Sequence, residues 1–182
     1  LEFLREIDAI NLRARQRVID VVRGELSEDL TKYKIAVLGA TFKPDSDDVR
    51  DSPALDIAAQ LQAAGAIVVV HDPQGIEPAR KRFPNLQYQE VVTDALKDAD
   101  FVYVKNWSAF NEYGKILCTD ERWMLTEAHL QNAPEAKVMH CLPVRRNVEL
   151  SDEILDGPRS LVQQQALNRI YAAQAVLSKL LE

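Results

Sequence analysis

Two short strings in this chain hold residue types that do chemistry. Residues 39–53 read Gly-Ala-Thr-Phe-Lys-Pro-Asp-Ser-Asp-Asp-Val-Arg-Asp-Ser-Pro, and residues 140–147 read His-Cys-Leu-Pro-Val-Arg-Arg-Asn. In the first, Lys43 and Arg50 flank a run of carboxylates. A lysine and an arginine on one loop suit a phosphate, the ammonium as a point charge and the guanidinium as a bidentate fork. The acids Asp45, Asp47 and Asp48 lack the spacing of a Ca²⁺ loop and its terminal Glu, so they read as charge at a helix N-terminus rather than as metal ligands. In the second string a histidine beside a cysteine suggests a base and a nucleophile. Neighbours on a strand point to opposite faces, however, so His140 and Cys141 are expected to end a strand rather than to form a dyad. Arg145 and Arg146 read as surface charges, with an anion site as the sharper alternative. Trp107 and Trp123 read as packing residues.

Composition narrows the classes of function. The 182 residues are 47% hydrophobic and 27% charged, which fits one soluble globular domain with a sizeable core. A net charge of -6 argues against a dedicated nucleic-acid binder. No apolar run approaches the roughly 20 residues that span a bilayer, and no secretory signal is evident. Cys118 and Cys141 match neither CxxC nor zinc spacing, so reduced thiols in a cytoplasmic protein are expected, with no metal and no cofactor.

The elements that must position these strings follow from hydrophobic period. Residues 1–27 read as one long helix, with Leu4, Ile7, Asn11, Ala14, Val18 and Val21 forming a heptad seam that wants a partner, either this chain's own sheet or a second copy. Apolar runs at 34–39, 66–71, 86–88, 101–104 and 137–141 read as five strands. Between them, Ser52 caps a helix that Pro53 starts and Gly65 closes, and residues 76–82 and 91–98 read as further helices. Residues 108–133 read as helical and loop-like, 150–156 as a short helix or turn, and 162–181 as a long amphipathic helix with Leu167, Ile170, Ala173, Leu177 and Leu180 on one face. This alternation predicts an α/β, three-layer, Rossmann-like domain around a five-stranded parallel sheet, with long N-terminal and C-terminal helices. Right-handed crossovers would then gather loops 39–52, 72–75, 105–110 and 141–149 at the carboxyl edge of the sheet.

The string Phe42-Lys43-Pro44-Asp45-x-Asp47-Asp48-x-Arg50-x-Ser52-Pro53 resembles the C-terminal, UDP-sugar-binding domain of UDP-glucose dehydrogenases, a likeness that covers roughly residues 1–88. It implies that Phe42 and Lys43 lie against a UDP-sugar and that Arg50 reaches a dinucleotide across a domain interface. Phe101-Val-Tyr-Val-Lys-Asn-Trp107, His140-Cys-Leu-Pro-Val-Arg-Arg-Asn147 and Asn168-Arg169 resemble the substrate-side half of ornithine-type carbamoyltransferases, nearest the acetylornithine or succinylornithine branch, over roughly residues 90–182. That likeness implies backbone contacts from Cys141 and Leu142 to carbamoyl phosphate, Arg169 on its carbonyl, and Lys105 facing the amino-acid substrate. The G-x-G-x-x-G turn of the first family's NAD domain does not occur in these residues, nor do the Ser-x-Arg-Thr and His-Pro-x-Gln strings of the second family's carbamoyl-phosphate domain.

The expectation is therefore a single domain over 1–182, an engineered fold chimera joining 1–88 to 89–182, with no complete active site and no enzyme activity. Residual binding of a UDP-sugar or other phosphate-bearing small molecule at the carboxyl edge is the alternative, and completion by a partner chain is a third reading. Nucleic-acid and membrane partners are not expected, whereas a homodimer through the terminal helices is left open.

Overall fold

The computed structural model describes residues 2–42, 47–106, 112, 115–116, 123–166, 174 and 177–178. Five strands form one sheet in the order β3-β2-β1-β4-β5, where β1 is Lys34–Leu38, β2 Ile67–His71, β3 Gln87–Tyr88, β4 Phe101–Val104 and β5 Lys137–His140. Every pairing is parallel, as the near-continuous apolar runs predict. The chain steps outward from β1 to β3, then returns to lay β4 on the other side of β1. The strand order reverses between β1 and β4, and in such sheets a ligand crevice opens at that reversal, outside the carboxyl ends.

Side chains alternate across the strands and split the core into two layers. On one face Ile35, Val37, Val68, Val70, Phe101, Tyr103 and Met139 pack under helices α1 (Glu2–Glu25) and α2 (Pro53–Ala63). On the other, Ala36, Leu38, Val102, Val104 and Val138 meet Leu96, Leu125, Leu130, Leu150 and Ile154. Helix α2 forms where its punctuation dictates. The Ser52 hydroxyl accepts the Leu55 N–H at 3.4 Å, and Pro53 occupies the first turn, where its missing N–H costs nothing. Leu55, Ile57 and Leu61 face the sheet fully buried, each contributing roughly 2 kcal/mol. At the far end the Gly65 N–H bonds Gln62 O and the Ala66 N–H bonds Leu61 O, a paired closure that requires Gly65 at φ +100.

Helix α1 divides its length. Val18, Ile19 and Val22 are buried against α2, and Arg15 pairs with Asp56 at 3.0 Å, but Ile10 to Ala14 are exposed. Of the predicted seam, Val18 is buried and Val21 partly buried on this core, Asn11 and Ala14 are exposed, and the side chains of Leu4 and Ile7 lie outside the described residues. Short helices α3 (Ile76–Arg82), α4 (Val92–Leu96) and α5 (Asp152–Leu155) complete the connections. The residues described within the expected C-terminal helix (162–166, 174, 177 and 178) are helical; Leu167, Ile170, Ala173 and Leu180 lie outside the described residues. No helix among the described residues is long and apolar enough to cross a membrane.

Candidate functional site at the carboxyl edge

The sheet edge is built first by Gly39. It lies at φ +104, and a Cβ there would stand 2.8 Å from Cβ of Lys105, so only glycine lets the loops leaving β1 and β4 come this close. The ladder runs on past the strands, with the Gly39 N–H on His71 O (2.8 Å), the Lys105 N–H on Leu38 O (2.9 Å) and the Cys141 N–H on Val104 O (3.3 Å). Asp72, buried at the end of β2, holds two loops at once. One oxygen accepts the N–H groups of Ala40 (2.6 Å) and Thr41 (3.1 Å), the other those of Gln74 (2.9 Å) and Gly75 (2.6 Å). Four donors fill its acceptor positions, so Asp72 serves the scaffold and has no lone pair left for a ligand hydroxyl.

Across β4 and β5, Asn106 joins the next two loops. Its N–H donates to Cys141 Sγ at 3.1 Å, and its side-chain amide donates to Pro143 O at 2.6 Å. Lys105, Cys141 and Leu142 are thereby brought to one stretch of edge. Burial draws the Lys105 ammonium below its ordinary pKa, against the opposing pull of Cys141 and Asp72. Burial also pushes the Cys141 thiol up, outweighing the Asn106 N–H and Lys105, so the sulfur stays protonated at neutral pH. Leu142 takes φ 52 ahead of a cis bond to Pro143. Its N–H is spent on Nδ1 of His140 at 2.9 Å, which leaves carbonyl oxygens as the turn's acceptors toward a ligand.

His140 and Cys141 therefore engage different partners, as the opposite-face argument predicts. The His140 ring is wholly buried, with Nε2 3.2 Å from Glu149 Oε2. Arg145 differs from the expected surface charge. Its side chain is only 17% exposed and grips Glu149 through Nε (2.9 Å) and one terminal nitrogen (2.5 Å), while its backbone N–H adds a third bond at 3.1 Å. Arg146 is exposed as expected and pairs with Asp152 (2.8 Å) and Asp156 (2.6 Å).

The other predicted residues lie apart. Arg50, 78% exposed, is held by Asp48 through two bonds of 2.9 Å, and Phe42, 45% exposed, is tied to the same loop by its N–H on Asp48 O at 2.7 Å. A shallow open pocket beside them is lined by Asp47, Asp48, Val49, Arg50 and Pro78, and none of Lys105, Cys141 and Leu142 borders it. Lys43, Arg169, Trp107 and Cys118 lie outside the described residues. Among the described residues no group of three or more His, Cys, Asp or Glu could hold a metal ion. Sequence reasoning missed Glu149, whose only signal was Arg145 four residues earlier, and named Asn106 only as part of the Phe101–Trp107 string, with no role of its own.

Residues 45–180 match the family described as aspartate/ornithine carbamoyltransferase, Asp/Orn binding domain. N-succinylornithine carbamoyltransferase of Bacteroides fragilis (strain 638R) is 30% identical over 178 residues, 97% of this chain and 55% of that protein. UDP-glucose 6-dehydrogenase of Rhizobium meliloti (strain 1021) is 46% identical over 83 residues, 45% of this chain and 19% of that protein. The two likenesses thus share residues, and the carbamoyltransferase likeness is the longer. Among solved structures, an N-acetyl-L-ornithine transcarbamylase variant complexed with carbamyl phosphate and N-succinyl-L-norvaline superposes with TM-score 0.59 at 24% identity, over 87% of this chain and 52% of that one. This last likeness is one of fold. The chain spans about half the length of the carbamoyltransferases that it matches.

Proposed function

The chain belongs to the aspartate/ornithine carbamoyltransferase family through its Asp/Orn binding domain, and from that premise we propose that the β4–β5 edge is the substrate-side half of a carbamoyl-transfer site. It would hold a carbamoyl-phosphate-like ligand and an ornithine-type amino acid, and these residues by themselves would turn neither over. The observation that carries this reading is the double tie from Asn106 to Cys141 and Pro143, which sets Lys105, Cys141 and Leu142 on one edge. In the proposed site the Cys141 and Leu142 carbonyls accept the N–H groups of a carbamoyl moiety, and the Lys105 ammonium faces a carboxylate or phosphate. No Ser-x-Arg-Thr phosphate cradle occurs in the 182 residues, so charge developing on the leaving phosphate has no preorganised partner here.

The dehydrogenase likeness supports a second reading, residual binding of a UDP-sugar at the Phe42–Arg50 loop. There Asp48 already occupies the guanidinium, so a ligand phosphate must compete with it. Two families meeting in one chain also fits an engineered fold chimera of 1–88 and 89–182, whose designed property is folding rather than turnover.

Calorimetry tests the two binding readings. Heat with carbamoyl phosphate at millimolar concentration, abolished by Lys105→Ala, supports the first; heat with UDP-glucose alone favours the second. No heat with either ligand overturns both. Turnover above background with carbamoyl phosphate plus N-succinylornithine, or with UDP-glucose plus NAD, overturns the non-catalytic reading.

A further inference from the structure

Glu149 is the most deeply buried acid among the described residues, at 1% exposure, yet it touches no ligand-facing side chain at the sheet edge. One carboxylate oxygen is taken by the Arg145 guanidinium, and the other accepts the Arg145 backbone N–H and faces Nε2 of His140. On the far side of the same imidazole, Nδ1 accepts the Leu142 N–H. A neutral imidazole carries one proton, so an accepting Nδ1 requires the proton on Nε2, which stands 3.2 Å from the carboxylate and feels its charge without hydrogen-bond geometry. The opposite tautomer would set an Nδ1–H against the Leu142 N–H, and the turn would have to move. Backbone ladder bonds end at the Cys141 N–H. Beyond them, this imidazole and Asn106 supply polar ties to residues 141–143, beside the packing of Cys141 and Leu142 on the two core layers.

We infer that Glu149 is a positioning residue for the Cys141–Leu142 turn, acting through the tautomer that it imposes on His140. This rests on the reading of that turn as ligand-facing, but its geometry is testable without ligand. The main-chain N–H bonds one side of the imidazole, the carboxylate charge stands 3.2 Å from the other, and Arg145 pairs with that carboxylate. An apolar residue in place of Glu149 removes the group that selects the tautomer.

The experiment uses ¹⁵N-labelled wild type, E149Q, E149L and the double variant E149L/H140N. Long-range ¹H–¹⁵N spectra read the tautomer, and amide exchange at Leu142 is compared with Val138 inside β5. Cys141 alkylation by iodoacetamide is followed in a C118S background. Wild type is expected to show a bare Nδ1 and a protonated Nε2. E149Q, whose amide oxygen still accepts, should keep that tautomer and hold Leu142 exchange within about threefold. E149L should speed Leu142 exchange and Cys141 alkylation at least about tenfold while leaving Val138 unmoved. Adding H140N puts an amide oxygen where Nδ1 stood and should restore Leu142 protection. A protonated Nδ1 in wild type, or E149L with unchanged Leu142 exchange and alkylation, overturns the inference. If E149L does not fold, loss of Leu142 protection in E149Q overturns it instead. A protein that passes these tests yet gives no heat with carbamoyl phosphate refutes the functional reading and leaves the positioning role standing.

Discussion

A Cβ built on Gly39 stands 2.8 Å from Cβ of Lys105, so the end of β1 and the loop leaving β4 are packed to contact at the point where the strand order reverses. The clash involves the root of a side chain, which cannot swing aside, and φ +104 is itself a conformation that L-residues avoid. Gly39→Ala should therefore destabilise the fold by about 2–4 kcal/mol. Urea denaturation checks this, and a loss under about 0.5 kcal/mol would show that the two loops part easily.

Asp72→Ala should cost about 3 kcal/mol, since it strands four backbone N–H groups, those of Ala40 and Gly75 in a buried setting. Asp72→Asn should do less harm than Asp72→Ala, because one oxygen can still serve two of the four. The comparison is read from denaturation midpoints at constant m-value. Equal stability of D72A and wild type would mean that water replaces the carboxylate without loss.

Glu149 has a consequence for acid stability. Burial alone would raise its pKa, but the contacts from His140 and Arg145 outweigh burial and hold the carboxyl below the usual range. A carboxyl depressed on folding contributes stability that is present above the unfolded value of about 4.3 and is lost as pH falls through the folded value. Wild type should lose stability faster than Glu149→Gln as pH drops from about 5 toward 3, because only the wild type must protonate this group. Parallel stability–pH curves for the two proteins would refute the assignment.

The exposed stretch of α1 from Ile10 to Ala14 is expected to associate with a second copy. Ile10 is 55% exposed and Leu12 57%, on a helix that buries Val18, Ile19 and Val22. Sedimentation equilibrium should show a dimer in the micromolar range, and Ile10→Glu should shift it to monomer with no loss of thermal midpoint. A concentration-independent monomer would show that the surface stays solvated.

Much of the fold was legible in the residues because its signals are local. Ser52-Pro53 and Gly65 delimit α2, and the apolar runs name five strands. The string of Val102, Tyr103 and Val104 lacks polar alternation because both faces of β4 are covered. The site was legible only in part. Cys141, Leu142 and Lys105 stood out through the strings that resemble the carbamoyltransferases. Phe42 and Arg50 stood out through the other family's string, and on their own loop both bond Asp48. Helix α1 shows the same limit, since its seam named Asn11 and Ala14 beside Val18, and packing buries Val18 but leaves the other two exposed.

By itself the sequence determined which segments are strands and helices, that the strands are buried on both faces, and that two families left recognisable strings. Those properties follow from period, caps and side-chain type, which neighbours along the chain express. Only the tertiary structure decided that β1 lies between β2 and β4, that Asn106 reaches Cys141 from 35 positions away, and that Arg145 and His140 converge on a buried Glu149. Such contacts depend on strand order and loop path, and their stability comes from excluding water around groups that meet only once the sheet has closed.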